Sequence, residues 1–329
     1  MINERFALHE TDSSRSVNSF IEDVQSGLAS SPKFLLPKYF YDALGSILFE
    51  AITLLPEYYP TRKESEILST YANEIIASAQ DEVILIELGS GSASKTRYLI
   101  DAVFNRQIRL TYIPIEISKT AIESSSKQLL ENYPDLKIEA YVGDYFDVLK
   151  KLKLDSSKKV LVMFLGSSIG NLSLGESIKL LKAIRQVLSP GDALLLGADL
   201  KKSIDVLEPA YDDSLGVTAA FNLNILTRIN RELNADFDIR SFKHIAFYNS
   251  DLGRIEMHLE SRKAQTVFIK ELNQKVEFAE GERIHTENSY KYDTENLSDL
   301  ARQTGFELKH TWRDNQSYFS DNLFAVTQE

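Results

Sequence analysis

Apolar residues recur at three- and four-residue intervals over residues 15–30 and again over 40–55, where Phe40, Leu44, Ile47, Leu48, Ala51 and Ile52 share one stripe. Two amphipathic helices are therefore predicted before residue 56. Pro56 and Pro60 bracket Glu57, Tyr58 and Tyr59, so PEYYP reads as a rigid turn carrying two phenols. Helical spacing resumes over 61–79. From Asp81 the period changes: VILIEL, RLTYIPIEI, IEAYVGD, VLVMFLG and ALLLGADL are short apolar runs of strand character, with helical stretches near 95–104, 119–131 and 175–188. Apolar strands alternating with amphipathic helices predict an α/β domain, a doubly wound, mostly parallel sheet covered on both faces. Beyond Leu200 the alternation stops. Residues 205–235 look helical, and FKHIAFYN, RIEMHLESR and AQTVFI then alternate as half-exposed antiparallel strands do. A mixed α+β unit is expected between about 201 and 290, and the tail, FELKHTWRDNQSYFSDNLFAVTQE, reads as a hairpin able to finish the earlier sheet.

Composition narrows what such a chain can do. Its 329 residues are 43% apolar and 10% aromatic, enough for a large core and inconsistent with general disorder. A net charge of -11 without a compensating basic run argues against nucleic acid as a partner. The absence of cysteine excludes disulfides, thiolate zinc sites, iron–sulfur clusters and cysteine nucleophiles. The five histidines, His9, His244, His258, His285 and His310, have no HxH or HxxxH spacing, so no metal site is expected. The N-terminus lacks signal-peptide and transit-peptide patterns, and no apolar run approaches the ~18 residues of a membrane span. A cytoplasmic protein with no membrane partner is expected, and a monomer.

Candidate chemistry gathers at the ends of the predicted strands. VILIELGSGSASKTRYLIDA places a strand, then Gly89-Ser90-Gly91, then a helix, the order a nucleoside site needs. A lone GxG also closes ordinary strand–helix turns. Here the third glycine of a nicotinamide site is replaced by Ser94, and Glu87 precedes the first glycine by two, which fits the E/D-x-G-x-G loop for S-adenosylmethionine better. Glu116 ends the second strand, where a carboxylate can accept ribose hydroxyls, although a solvated strand end has the same look. Gly143-Asp144-Tyr145 follows the third strand, where an Asp can accept from an adenine amine and an aromatic ring can cover the base. Glycine and aspartate are also common turn residues. The series of all three at carboxyl ends of strands is what points to S-adenosylmethionine. The next strand empties into FLGSSIGNL, whose amide, Asn171, cannot shuttle protons but can donate and accept hydrogen bonds at once. It suits holding an amine near the donated methyl group. Enzymes that methylate nucleic-acid amines often carry Asn or Asp followed by Pro-Pro-aromatic there; GNLSL departs from that and argues for another amine.

KYFYDALGSILFEAITLLPEYYPTRKESEIL, ELGSGSASKTRYL, FLGSSIGNL, LGADLKKS, AYDDSLGVTAAFNLNIL, RIEMHLESR and HTENSYKY together resemble the histidine-specific methyltransferases of ergothioneine biosynthesis over nearly the whole chain. That resemblance implies a Rossmann-like class I methyltransferase that uses S-adenosylmethionine and no metal. It would convert L-histidine to its Nα-trimethyl betaine, hercynine. It implies a cofactor-binding domain at 62–200 and 291–329 and a substrate-binding domain at 1–61 and 201–290. Cofactor positions would be Gly89, Lys95, Glu116, Asp144 and Tyr145, with Gly91 beside them in the turn. Substrate positions would be Phe49, Tyr58, Asn171, Tyr211, Met257, Glu287 and Ser289, with Tyr41 and Asn171 nearest the chemistry. Glu116 stands where Asp is expected, and Tyr145 where Phe is frequent; neither change removes the group the chemistry needs.

Each assignment has a structural competitor. PEYYP can staple helices, Tyr211 can be a core aromatic, Met257 an inward strand residue, and Glu287 with Ser289 a solvated pair on one side of an extended segment. The same fold could also act on another amino acid, such as tryptophan, but an indole offers no second polar nitrogen for a carboxylate–hydroxyl pair. A nicotinamide dehydrogenase would want the missing glycine and a proton-transfer residue, and a cofactor sensor would have no need of an aligned amine site.

Overall fold

A computed structural model describes residues 4–10, 13–78, 82–152, 154 and 158–326, without the side chains of 13–18. The chain divides into two compact units, one from Met1–Asp12, Pro60–Lys201 and Lys291–Glu329, the other from Ser13–Tyr59 and Lys202–Tyr290.

The first unit is built on an eight-stranded sheet. In spatial order its strands are Phe6–Glu10, Leu136–Val142, Leu110–Glu116, Val83–Leu88, Lys159–Phe164, Ala193–Asp199, Phe319–Val326 and Phe306–Arg313. The first six run parallel; Phe319–Val326 is antiparallel to both of its neighbours. Alternate residues of each buried strand feed two cores. Leu85, Leu161, Met163 and Leu195 pack with Ile67, Leu68, Leu99 and Leu129 on one face. Ile84, Ile86, Val162 and Leu196 pack with Leu180, Ile184, Leu297 and Leu300 on the other. Full burial on both faces is why these strands read as continuous apolar runs. The chain order reverses between Val83–Leu88 and Lys159–Phe164, the switch point at which such sheets open a crevice for ligands.

The predicted doubly wound sheet and its closing hairpin are thus present, with three corrections. Phe6–Glu10 was expected with the substrate-binding part of 1–61, but it extends the large sheet beside Leu136–Val142. The helix expected over 40–55 runs from Ala43 to Thr53, because Asp42 caps it by accepting from the Gly45 amide at 2.7 Å. The helix after PEYYP begins at Tyr59 and runs to Ala77, and residue 79 lies outside the described residues.

In the second unit, Lys33–Phe34, Arg283–Tyr290, Arg254–Ser261 and Phe242–Asn249 form a four-stranded sheet in that order. Gln265–Ile269 pairs with Gln274–Phe278 in a separate two-stranded sheet. The helical stretch expected over 205–235 is divided into Ile204–Leu207 and Val217–Leu233. Asp213 divides it: its carboxylate accepts the amides of Val217 and Thr218 at 2.9 and 2.7 Å, restarting the helix there and leaving Tyr211 in the preceding turn. Among the described residues no helix is long and apolar enough to cross a membrane.

Lys291 and Asp199, both fully buried in the first unit, are paired at 2.7 Å. Replacing Lys291 by Met leaves the Asp199 carboxylate in the interior without this cation, a loss of about 3–5 kcal/mol. Denaturant unfolding of Lys291→Met at pH 7 should show that loss; an unchanged midpoint and slope would mean the pair contributes no net stability.

Candidate functional site

Three turns at the carboxyl edge of the large sheet carry the predicted cofactor residues. After Val83–Leu88 the chain turns at Gly89, whose φ of +73° and whose closeness to Tyr145 both exclude a side chain. A Cβ at Gly89 would lie 2.8 Å from the Tyr145 hydroxyl. Glu116, at the end of the neighbouring strand, fixes this turn: Oε2 accepts the Gly91 amide at 3.1 Å, and Oε1 accepts the amides of Ile117 and Ser118 at 2.9 and 3.1 Å. Three backbone amides thus converge on one carboxylate. Asp144 caps the helix Tyr145–Leu149 through Oδ1, accepting from Phe146 at 2.9 Å. Lys95 immediately precedes the helix Thr96–Phe104, and its side chain forms an ion pair with Glu64.

Beneath the turn, Glu87 is buried and accepts hydrogen bonds from the hydroxyls of Tyr112 and Thr96, the latter 2.7 Å from Oε2. Burial pushes its carboxyl up to about 7, against these bonds, which favour the ionised form. Ser90 Oγ is buried in the turn without a hydrogen-bond partner among the described residues. A turn with no Cβ at its tightest point, a carboxylate at the adjacent strand end and a spare buried hydroxyl fit a nucleoside-type cofactor with ribose hydroxyls and a polar tail. One strand further along, Ser167 holds a left-handed φ of 57°, and its hydroxyl accepts the Asp199 amide at 2.8 Å. The 3₁₀ turn Ser168–Asn171 follows and ends at the half-buried Asn171.

The other predicted residues fall in the second unit, and most are linked there by direct contact. Tyr41 and Phe49 meet edge to face with centroids 5.6 Å apart, Phe49 and Tyr58 at 6.1 Å, and Tyr58 and Tyr211 at 6.2 Å. The hydroxyls of Tyr211 and Ser289 share a hydrogen bond of 2.7 Å. Met257 stands directly opposite Glu287 in the antiparallel pair, and Ile255 opposite Ser289. A bulge between His285 and Glu287 sets this register, and Glu287 and Ser289 are both buried rather than the solvated pair their spacing also allowed. Asn171 belongs to the first unit, with the cofactor set.

Several contributors escaped the sequence reading. Phe221 packs on Phe40, Tyr41 and Phe49 with centroids 4.7, 5.7 and 6.0 Å away, yet helical spacing marks it only as core. His244 donates from Nε2 to the Tyr211 carbonyl at 2.8 Å and accepts from Asn222 at Nδ1, also at 2.8 Å, holding the tyrosine's backbone. Glu64 is a charge in the apolar stripe of its helix, a signal that was available. The sheet also brings Glu256, His258 and His285 together, their ligand-type atoms within 4.8 Å of one another, because His258 and His285 face each other across strands. No spacing rule along the chain detects such a neighbour. The group is tied into hydrogen bonds: His258 to Glu256 at 3.1 Å, Arg254 to the same carboxylate at 2.7 Å, and His285 to Asn288 at 2.9 Å. Arg254 already supplies the positive charge there.

The doubly wound sheet, with an acidic strand end beside a glycine turn at its switch point, places the chain among α/β proteins with a nucleoside-type cofactor site. The model of the S-adenosylmethionine-dependent, histidine-specific methyltransferases matches residues 20–326, and the chain belongs to that family. It is 45% identical over 301 residues to the histidine N-alpha-methyltransferase of Mycolicibacterium smegmatis, covering 92% of this chain and 93% of that protein. Identity to the histidine N-alpha-methyltransferase of Mycobacterium tuberculosis is 41% over 303 residues, covering 92% and 94%. The Ergothioneine biosynthesis protein 1 of Neurospora crassa is 30% identical over 87% of this chain and 32% of its own length.

The raised Glu87 pKa has a pH signature. Between about 4.5 and about 7 the folded protein keeps a proton that the unfolded chain releases, so stability falls as pH rises through that window. Glu87→Gln, which mimics the protonated group, should show a shallower fall in unfolding free energy from pH 5 to 7 than the parent; identical slopes would place the Glu87 titration outside this window.

Proposed function

We propose that this protein transfers methyl groups from S-adenosylmethionine to the α-amino group of L-histidine, three times in succession, giving hercynine, the trimethyl betaine on the route to ergothioneine. The observation that carries the reading is the buried edge where Tyr211 meets Ser289 and Glu287 faces Met257. A carboxylate accepts one imidazole N–H, and a hydroxyl meets the second ring nitrogen. Sites that hydrogen-bond a substrate in this way reject analogues lacking the partner by up to about 10⁴-fold. An indole leaves one of the two groups unsatisfied, which disfavours tryptophan.

S-adenosylmethionine supplies the methyl group and leaves as its neutral thioether, chemistry that needs no Lewis acid. The protein's tasks are alignment and selection of the neutral amine. Gly89, Gly91 and Glu116 would hold the nucleoside, Asp144 and Tyr145 the adenine, and Lys95 the polar tail. Asn171 would accept from the amine and donate to the substrate carboxylate, aiming the nitrogen lone pair. Each transfer forms one N–C bond, and the nitrogen must lose a proton before it can attack. Tyr41 can pass that proton outward, but a phenol with an ordinary pKa near ~10 is a poor base at neutral pH, so water is the terminal acceptor. As methylation proceeds the nitrogen becomes a bulkier permanent cation. Rings such as those of Tyr41, Phe49 and Tyr58 attract such a cation by about 0.5–2 kcal/mol without needing a hydrogen bond from it.

Purified protein incubated with S-adenosylmethionine and a panel of amino acids should add one, two and then three methyl groups to histidine, read by mass spectrometry. Reaction with tryptophan alone would move the reading to the other substrate. In the same assay Glu287→Ala should weaken histidine binding by at least about 10-fold, the value of a hydrogen bond to a charged group, and leave cofactor affinity intact. Loss of both affinities would make Glu287 structural.

A further inference from the structure

Glu64 lies in the helix Tyr59–Ala77 on the stripe that also carries Ile67, Leu68 and Ile75, and like them it is fully buried. Its two oxygens serve different loops. Oε1 accepts the Gly166 amide at 2.7 Å, at the head of the segment that ends in Asn171. Oε2 accepts from the Lys95 ammonium, on the residue just before the helix that follows the Gly89–Gly91 turn. The carboxylate reaches both because position 197 has no side chain. A Cβ there would sit 2.3 Å from Glu64 Oε1, 3.2 Å from Asp321 Oδ1 and 3.3 Å from the Gly166 nitrogen.

We propose that Glu64 is a positioning residue for methyl transfer, one buried carboxylate that fixes the cofactor turn, through Lys95, and the Asn171 turn, through Gly166, at a set separation across the notch at Gly197. The proposal rests on the methyltransferase reading above for what the two turns hold. Its geometry is that of a clamp: both loops leave neighbouring strands of the sheet, and the Glu64 carboxylate ties both of them to the helix Tyr59–Ala77.

Charge is consistent with the clamp. Asp321, paired in register with Gly197, is fully buried, and neither of its oxygens has a hydrogen-bond partner among the described residues. Burial, and then the Glu64 charge, raise its pKa well above the ordinary carboxylate value, and Lys95 offsets this only in part. Asp321 is accordingly the protonated member. Glu64 is the carboxylate that pairs with Lys95. An additional ionised carboxylate in this interior would be strongly disfavoured.

Two variants test the clamp from different sides. Glu64→Gln keeps an oxygen for the Gly166 amide and removes the charge facing Lys95. Gly197→Ala removes no polar group and displaces chiefly the Glu64 carboxylate, with smaller shifts at Asp321 and Gly166. In both, calorimetry with S-adenosylmethionine alone should show affinity reduced by at least about 10-fold. Turnover at saturating cofactor should fall by about 10²-fold, the penalty of a misaligned attack. The KM for histidine should rise by less than turnover falls, because Asn171 holds only the amine and carboxylate while Glu287 and Ser289 hold the ring. Melting temperatures and circular dichroism report whether each variant is folded. Unchanged cofactor affinity and turnover in either folded variant overturns the proposal, and so does loss of fold in both, which would make Glu64 purely structural. The calorimetric arm contains no histidine, so a parent protein that binds S-adenosylmethionine yet methylates no histidine would overturn the substrate reading and leave this test standing.

Discussion

Tight turns at the end of a buried strand strand their backbone amides, and in this protein side-chain carboxylates take them up. Glu116 collects the Gly91 amide and those of Ile117 and Ser118, Glu64 takes that of Gly166, Asp144 that of Phe146, and in the second unit Asp213 takes two. An unpaired amide in such a place costs free energy comparable to a lost hydrogen bond, so each carboxylate is required by the turn before it has any role with a ligand. The same arrangement sets the chemistry. A carboxylate that accepts amides keeps further lone pairs, and these can face hydroxyl or amine donors. Structure and binding therefore draw on the same groups.

The second unit is the one to which the proposed function assigns recognition of a small polar molecule. Its means are a run of edge-to-face rings from Tyr41 to Tyr211 and a two-strand edge with Met257, Glu287 and Ser289. Rings with few rotamers lose little entropy on ordering, and the bulge at His285 turns Glu287 and Ser289 to one side. Behind them the Asn222–His244–Tyr211 chain fixes the tyrosine's backbone. The unit invests its polar groups at a few buried points and fills the rest with apolar surface, the usual composition of a small-molecule site.

Much of this was legible in the sequence, for physical reasons. Strands buried on both faces announce themselves as apolar runs, which is why Val83–Leu88, Lys159–Phe164 and Ala193–Asp199 were found near their true bounds. The turn residues at 89–91, 116 and 144 stood out because they sit at strand ends. What escaped depends on tertiary neighbours. Phe6–Glu10 is a short edge strand whose partner lies far along the chain, and it carries no period of its own strong enough to assign it. The break at Asp213 is a capping event inside a helical pattern. His258 and His285 become neighbours only through register, and Glu64 acquires its partners only once Gly197 is placed beside it. The substrate residues were reached through the family resemblance, since a methionine in a strand or a serine beside a buried glutamate has no signature of its own.

The proposed reaction needs the α-nitrogen, and not a ring nitrogen, to face the methyl donor while the ring is held at its edges. Isotope labelling reads that alignment directly. Product made from [α-¹⁵N]histidine and S-adenosylmethionine carrying a ¹³C-labelled methyl group should give methyl carbon signals split by one-bond coupling to ¹⁵N. Methyl signals without that splitting, or with coupling only when the ring nitrogens carry the label, would contradict it.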